Sequence, residues 1–194
     1  MQKLFLLLFC VAVLFTACLT GIDKSEEPGI LRVTLQADPT DTTITILGRD
    51  YGVDTTSVFY LHVFEAKAYI ESDYTFLVPS LELFHDEGRY YNILEMENNT
   101  YKKYTIYESF VPPARYTRFQ FGLTSEMMKI GEYTIPVKIP EEENLLLDFD
   151  FEYEVSEHGT TEINLQIAPF ASVRRYRDSY IFQRDVIVSS VKRY

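Results

Sequence analysis

The stretch NLLLDFDFEYEV, residues 144–155, alternates with a period of two. Leu145, Leu147, Phe149, Phe151, Tyr153 and Val155 fall on one side of an extended chain; Asp148, Asp150, Glu152 and Glu154 fall on the other. A helix turns about 100° per residue and would scatter these residues around its circumference. The stretch therefore predicts a half-buried antiparallel strand, greasy inside and charged outside. The segment SEHGT follows, with Gly159 to supply a positive φ, and then EINLQIAPF places Ile163, Leu165 and Ile167 on one face. Together, residues 145–168 read as a β-hairpin.

The same rhythm continues in both directions. ILRVTLQ separates Leu31, Val33 and Leu35 from Ile30, Arg32, Thr34 and Gln36, and RYTRFQFGL separates Phe119, Phe121 and Leu123 from Arg118 and Gln120. In SVFYLHVFEAKAYIE the apolar set Phe59, Leu61, Val63 changes phase to Phe64, Ala66, Ala68, Ile70, which predicts a bulge between Val63 and Phe64. HDEGRYY reads as a turn entering a strand, and residues 180–191 as a closing strand. No segment holds a helical period beyond two turns. The 15 Tyr and 14 Phe suit a pleated surface. These features predict an all-β chain of about nine or ten strands. Its expected form is an antiparallel β-sandwich, immunoglobulin-like or transthyretin-like, in a single domain over residues 30–194. The PEEEN segment, residues 140–144, reads as a charged loop within that domain.

The first residues carry a different signal. Lys3 precedes an apolar run over residues 4–17, which as a helix would reach only about 21 Å, short of a hydrocarbon core of roughly 30 Å. It reads as a secretory h-region, not a membrane span. Thr16-Ala17 before Cys18 resembles the lipobox of bacterial lipoproteins, with Phe15 and Leu14 ahead of it. That resemblance implies cleavage after residue 17 and acylation of Cys18. Cys10 lies inside the run behind Phe9 and is a poor acceptor. Residues 18–29 then form a polar tether, in which Ser25-Glu26-Glu27 reads as soluble linker, with a resemblance to the acidic signals that send some lipoproteins to the cell exterior as the alternative. With Cys18 the only cysteine left, a disulfide within the mature chain is excluded, and stability has to come from the core.

The chain carries 18 basic and 29 acidic residues, a net charge of −11. Such a surface repels phosphate backbones and anionic headgroups, so no nucleic-acid partner is expected and membrane attachment falls to the lipid.

The order of these features resembles an uncharacterised family of bacterial and archaeal secreted proteins, known as a domain of unknown function that opens L-x-V-x-L-T-D-A-P. Leu31, Val33 and Leu35 match the opening, followed here by Gln36-Ala37-Asp38-Pro39. Pro113-Ala114-Arg115-Tyr116-Thr117 resembles the family's Pro-Ala-Gly-x-Tyr-Thr segment, one Gly short, and residues 163–169 and 180–188 resemble its closing strands. The resemblance implies a β-sandwich module at the cell envelope and brings no catalytic residues.

The motifs H-E-x-x-H, G-x-S-x-G, G-x-x-x-x-G-K-[ST] and G-x-G-x-x-G are absent from the sequence. His62, His85 and His158 are scattered, the last two beside Asp86 and Glu157. The ladder Asp148 to Glu154 cannot hold calcium alone, because strand neighbours two apart lie about 6.5–7 Å from each other. The loop acids Asp38, Asp41, Asp50 and Asp54 are the calcium candidates, set against an ordinary turn-forming role. Arg174, Arg175 and Arg177 around Tyr176 are the candidate ligand-binding group, suited to a phosphate, a sugar acid or an acidic partner, or to balancing the acidic face. Tyr101, Tyr104 and Tyr107 cannot share one face and so are not a single stacking platform.

The expectation is a non-enzymatic lipoprotein of the bacterial cell envelope, anchored at the outer membrane on its periplasmic or outer side. It would bind an envelope protein or a glycan without a cofactor. The alternatives are a subunit or anchor of a surface fibre, with residues 180–191 as donor strand, and a hydrolase or carbohydrate-binding accessory protein. Mass spectrometry of the membrane-associated protein should find residues 1–17 removed and a diacylglyceryl thioether on Cys18. Cys18→Ala or globomycin should leave an unprocessed precursor, and an unmodified thiol at a cleaved N-terminus would exclude the anchor.

Overall fold

The structure, a computed structural model, describes residues 26–79, 88–140 and 143–194. Cys18, the signal segment and His85 lie outside them. The described chain contains strands and turns and no helix. In order the strands are β1 (Gly29–Ala37), β2 (Thr43–Ile46), β3 (Arg49–Gly52), β4 (Val58–Ile70), β5 (Asp73–Leu77), β6 (Arg89–Asn92), β7 (Met96–Glu97), β8 (Thr100–Tyr101), β9 (Tyr104–Val111), β10 (Ala114–Thr124), β11 (Met127–Ile130), β12 (Tyr133–Lys138), β13 (Leu146–Val155), β14 (Thr160–Ile167), β15 (Val173–Tyr176), β16 (Ser179–Phe182) and β17 (Val186–Arg193). The count exceeds nine or ten because short ribbons such as β2/β3 and β7/β8 carry little alternation to read.

One sheet has four strands in the order β17-β14-β1-β9. The second has nine, ordered β13-β10-β4-β11-β12-β16-β15, with β5 and β6 also paired to β4. The antiparallel expectation needs correcting at two places. β1 and β14 run parallel from Ile30↔Thr160 to Ala37↔Ile167, and β12 and β16 run parallel at Val137↔Tyr180 and Lys138↔Ile181. Alternation reports which face of a strand is buried; it is silent on the direction of the neighbour.

The expected hairpin over residues 145–168 is instead an arch. β13 pairs with β10 in the nine-stranded sheet, and β14 pairs with β1 and β17 in the other. Residues 156–159 carry the chain from one sheet to the other, and the positive φ belongs to His158 (55°), not Gly159. A hairpin and an arch share the same local signals; only the partners differ. The closing strand over residues 180–191 is likewise broken into β16 and β17, one in each sheet, with Arg184 between them at φ 52°.

The predicted bulge is present, slightly displaced. On β10, Phe121 faces Ala66 while Gly122 faces Phe64, so Glu65, at φ 40°, is the extra residue. Phe64 therefore points outward, not into the core, and its ring lies over Gly122, where an added Cβ would meet it at 2.4 Å.

Both sheets contribute to one buried core. Leu31, Val33, Leu35, Ile163, Leu165 and Ile167 come from the four-stranded sheet, and Phe59, Leu61, Val63, Phe119, Phe121 and Leu123 from the other. Burial of such side chains contributes roughly 1.5–3 kcal/mol each. Tyr116 and Tyr153 stack at 5.3 Å, and the Tyr116 hydroxyl donates to the Pro112 carbonyl at 2.8 Å. Beside β9, the edge is covered by the chain leaving β5. Glu108 N–H donates to the Val78 carbonyl at 3.2 Å, and Val78 N–H donates to the Ser109 Oγ at 2.6 Å.

The first residue of β1 packs tightly on the arch. Ile30 N–H donates to the Gly159 carbonyl at 2.8 Å, and a Cβ on Gly29 would stand 2.4 Å from the Ser156 carbonyl oxygen. Gly29→Ala should cost about 1–3 kcal/mol in urea unfolding. Gly52→Ala, whose nearest neighbour would be Thr42 O at 3.9 Å, should stay within about 0.5 kcal/mol of the parent.

Candidate functional site

The four loop aspartates all accept hydrogen bonds from the protein itself: Asp38 and Asp54 within their turns, Asp50 across the β2/β3 ribbon and Asp41 from a distant segment. Asp38 Oδ1 accepts from Thr40 N–H and hydroxyl, and Asp50 Oδ1 accepts from the Thr45 hydroxyl. Asp41 Oδ2 accepts from the N–H groups of Phe170 (2.7 Å) and Ala171 (3.0 Å), 129 and 130 positions away. Asp54 Oδ1 accepts from Thr56 and Ser57; the Thr56 hydroxyl leads in holding this carboxyl below its usual range. Among the described residues no three His, Cys, Asp or Glu side chains gather at metal-site spacing.

Arg174, Arg175 and Tyr176 lie on β15, and Arg177, at φ 54°, turns the chain towards β16. All four are exposed. Arg177 stands 5.3 Å from the Tyr176 ring centre, and Arg175 Nε donates to the Arg177 carbonyl at 3.2 Å. None of these three guanidiniums forms an ion pair among the described residues. The structure thus brings the predicted group together on one exposed ribbon at the end of the nine-stranded sheet, without a cleft beside it among the described pockets.

Tyr101 and Tyr107 are buried, and the Tyr104 hydroxyl donates to the Asn92 carbonyl at 3.0 Å and pairs with Glu95. Burial, with Asp41 and Asp38 nearby, pushes the Tyr101 hydroxyl up to about 12. Tyr101, on β8, and Tyr107, on β9, are core residues and Tyr104 is half-buried against them, so the three form no outer platform.

The open aromatic surface lies elsewhere, on the outer face of the nine-stranded sheet. The Glu65 bulge changes the phase of β4, so Tyr60, His62 and Phe64 before it and Lys67 and Tyr69 after it share that face. The His62 ring lies between Tyr90 (4.6 Å) and Phe64 (5.3 Å), nearly parallel to both. Its Nδ1 is 3.4 Å from the Thr124 hydroxyl. Farther along the face, rings are covered by the protein's own cations: Lys67 Nζ lies 5.1 Å from the centre of Tyr74 and 5.3 Å from Phe76, and the Arg118 guanidinium 3.7 Å from Tyr69. At the His62 end a groove of about 370 Å³ remains, lined by Tyr60, Tyr90, Glu126 and Met127. Tyr90 is 63% exposed and Tyr60 47%. The residues come from β4, β6, the β10–β11 turn (Glu126) and the start of β11 (Met127), and sequence alternation alone could not bring them together.

A second surface is polar. The outer face of the four-stranded sheet carries a charge ladder across β9, β1, β14 and β17: Glu108, Arg32, Glu162, Lys192. Glu162 is largely buried, and Lys103 Nζ donates to its Oε1 at 2.8 Å. Burial works to raise this carboxyl, but Lys103, then the Asn164 amide and Arg32, outweigh it and hold it below its ordinary value of 4.5. Beside the ladder, the Thr34 hydroxyl donates to Asn164 Oδ1 at 2.9 Å.

Compared with protein-family models, with curated proteins and with solved structures, the chain matches none.

The charged form of Glu162 stabilises the fold, since its folded value lies below the unfolded one. Its contribution is complete above about pH 4.5 and fades as pH falls through the lower folded value. Glu162→Gln should therefore be less stable than the parent at pH 7, and the difference should shrink on acidification below pH 4.5, as read by urea unfolding at each pH.

Proposed function

We propose that this chain is a non-enzymatic, lipid-anchored binding module of the bacterial cell envelope, a β-sandwich that holds a glycan in the groove between Tyr60 and Tyr90. The observation that carries the reading is the exposure of these two rings beside a carboxylate. Neighbouring exposed Tyr and Met side chains lining one groove supply the kind of apolar patch that a partner covers. The apolar faces of a pyranose ring cover such rings, while Glu126 accepts from its hydroxyls, and Glu126 forms no ion pair among the described residues. A flat apolar protein partner fits less well, because charged groups such as Lys67 and Arg118 share the face.

The sandwich reading rests on two sheets with one shared core. The envelope reading rests on Lys3, the apolar run and Cys18, and kinship with the secreted family resembled at Leu31, Val33 and Leu35 belongs to the same proposal. A net charge of −11 leaves nucleic acid aside. The donor-strand alternative has less support: β17 is paired with β14 from Val186 to Arg193, and its free edge carries a bulge at Ser189 and two terminal cations, features that blunt edge pairing.

Envelope glycans should be retained by the full chain purified in detergent. Tyr90→Ala and Tyr60→Ala should each weaken retention roughly three- to tenfold, the scale of one lost ring contact, with urea stability nearly unchanged. Equal retention by the parent and both variants would exclude the groove.

A further inference from the structure

Where the tether read from the sequence meets β1, the four-stranded sheet ends in an uncovered apolar row. Gly29, the first residue of β1, faces Val111 of β9, and an added Cβ there would touch the arch at Ser156. One position on, Ile30 faces Phe110 on β9 and Thr160 on β14, and Thr160 exchanges backbone hydrogen bonds of 2.9 and 3.2 Å with Tyr194, just beyond β17. Phe110, Ile30, Thr160 and Tyr194 thus form one line across the sheet, about 14 Å long at the usual strand spacing. They lie on its outer face, because Leu31 beside Ile30 and Val111 beside Phe110 are the buried ones. Phe110 is 73% exposed and Tyr194 69%, more than any other aromatic ring among the described residues.

A single exposed ring calls for no explanation, but this line has a position that supplies one. One row further into the face stand Glu108, Arg32, Glu162 and Lys192, so the apolar rim is bordered by a charged band. Only residues 19–28 separate Cys18 from Gly29, and a flexible chain of that length spans roughly 16–19 Å. Acyl chains on Cys18 would therefore keep this end of the domain at the bilayer surface. Aromatic side chains with one apolar and one wet end favour that boundary. A second copy of the chain fits the rim less well, because Glu26, Glu27 and Glu157 are exposed at the same end and would meet their own kind. The same acids select a zwitterionic headgroup layer over an anionic one. The glycan groove lies at the other end: β10 starts at Ala114, beside Val155 and the arch, and ten positions later reaches Thr124, beside His62, a distance of about 33 Å along a strand.

We propose that this end of the sandwich docks on the bilayer that holds Cys18, with Phe110, Ile30 and Tyr194 seated at a zwitterionic headgroup boundary and the groove between Tyr60 and Tyr90 turned away from it. The docking rests on the lipid-anchored reading above and adds to it an orientation, which a tether alone does not impose.

The sequence contains no Trp, so one introduced Trp is a clean reporter of depth. Phe110→Trp and, at the far end, Tyr90→Trp are each made in the full membrane-derived chain and reconstituted into phosphatidylcholine vesicles with or without bromine on the acyl chains. Urea unfolding checks that each variant is folded, and Tyr194→Trp repeats the reading from the other end of the row, so one misfolded variant leaves the test standing. Both proteins should float with the vesicles, and bromine should lower the emission of Phe110→Trp but not that of Tyr90→Trp. Adding Tyr194→Ser to Phe110→Trp should lessen that loss, and an undiminished loss would overturn the row as the docking surface. Flotation without loss at Phe110→Trp, or with an equal or greater loss at Tyr90→Trp, would overturn the docking and leave the anchor in place. Failure to float would remove the anchor, and the docking with it.

Discussion

The parallel pairing of β1 with β14 is the constraint on which the rest of the structure depends. Eight consecutive register pairs, Ile30↔Thr160 to Ala37↔Ile167, join segments 130 positions apart. Parallel strands cannot be linked by a tight turn, so a long connection has to leave one end of β1 and return to the opposite end of β14. Here that connection is residues 38–159, which include most of the nine-stranded sheet. The pair places Leu31, Val33 and Leu35 beside Ile163, Leu165 and Ile167 as one apolar surface within the core that both sheets share. Closing so long a loop costs entropy before any contact offsets it, and burial along the whole pair is what compensates.

Single extra residues then decide what the two outer faces display. Strand alternation forces every second side chain outward, and one inserted residue exchanges the faces beyond it. Glu65 does this on β4, leaving Tyr60, His62 and Phe64 on the same side as Lys67 and Tyr69 while Ala66 and Ala68 stay inside. Without it, the small alanines would face water and Lys67 and Tyr69 the core. Ser189 and Ile106 act in the same way around Asn164. The clefts on both outer faces therefore lie where the ladder is interrupted.

The charge distribution follows the same division. The acidic ladder of β13 is met by cations from β10 and from β17 of the other sheet: Arg115 pairs with Glu152, Arg193 with Glu154, and Arg118 approaches Asp148 at 3.8 Å. These exposed pairs contribute little stability one by one, but they neutralise the ladder locally while the net charge stays at −11. Arg174, Arg175 and Arg177 are the densest group of cations without an ion pair among the described residues.

By itself the sequence determined the secondary-structure class and most of the inward set of the long strands, with Phe64 on β4 and the exposed Leu145 before β13 among the exceptions. Leu31, Val33, Leu35, Phe119, Phe121, Leu123, Ile163, Leu165 and Ile167 are all buried as their alternation required, because a period of two is a local property of the chain. It also announced the β4 bulge, since a phase change is visible without any partner. Tertiary structure alone decided which strands are neighbours: the arch at residues 156–159, the parallel β1/β14 pair and the separation of β16 from β17 have the same local pattern as the hairpin and single strand they replace. Both surfaces were illegible for that reason. Tyr60, Tyr90 and Met127, like Thr34, Asn164 and Lys192, meet only through pairings between distant strands, and strand pairing is set by the burial of the whole core, not by any short stretch of residues.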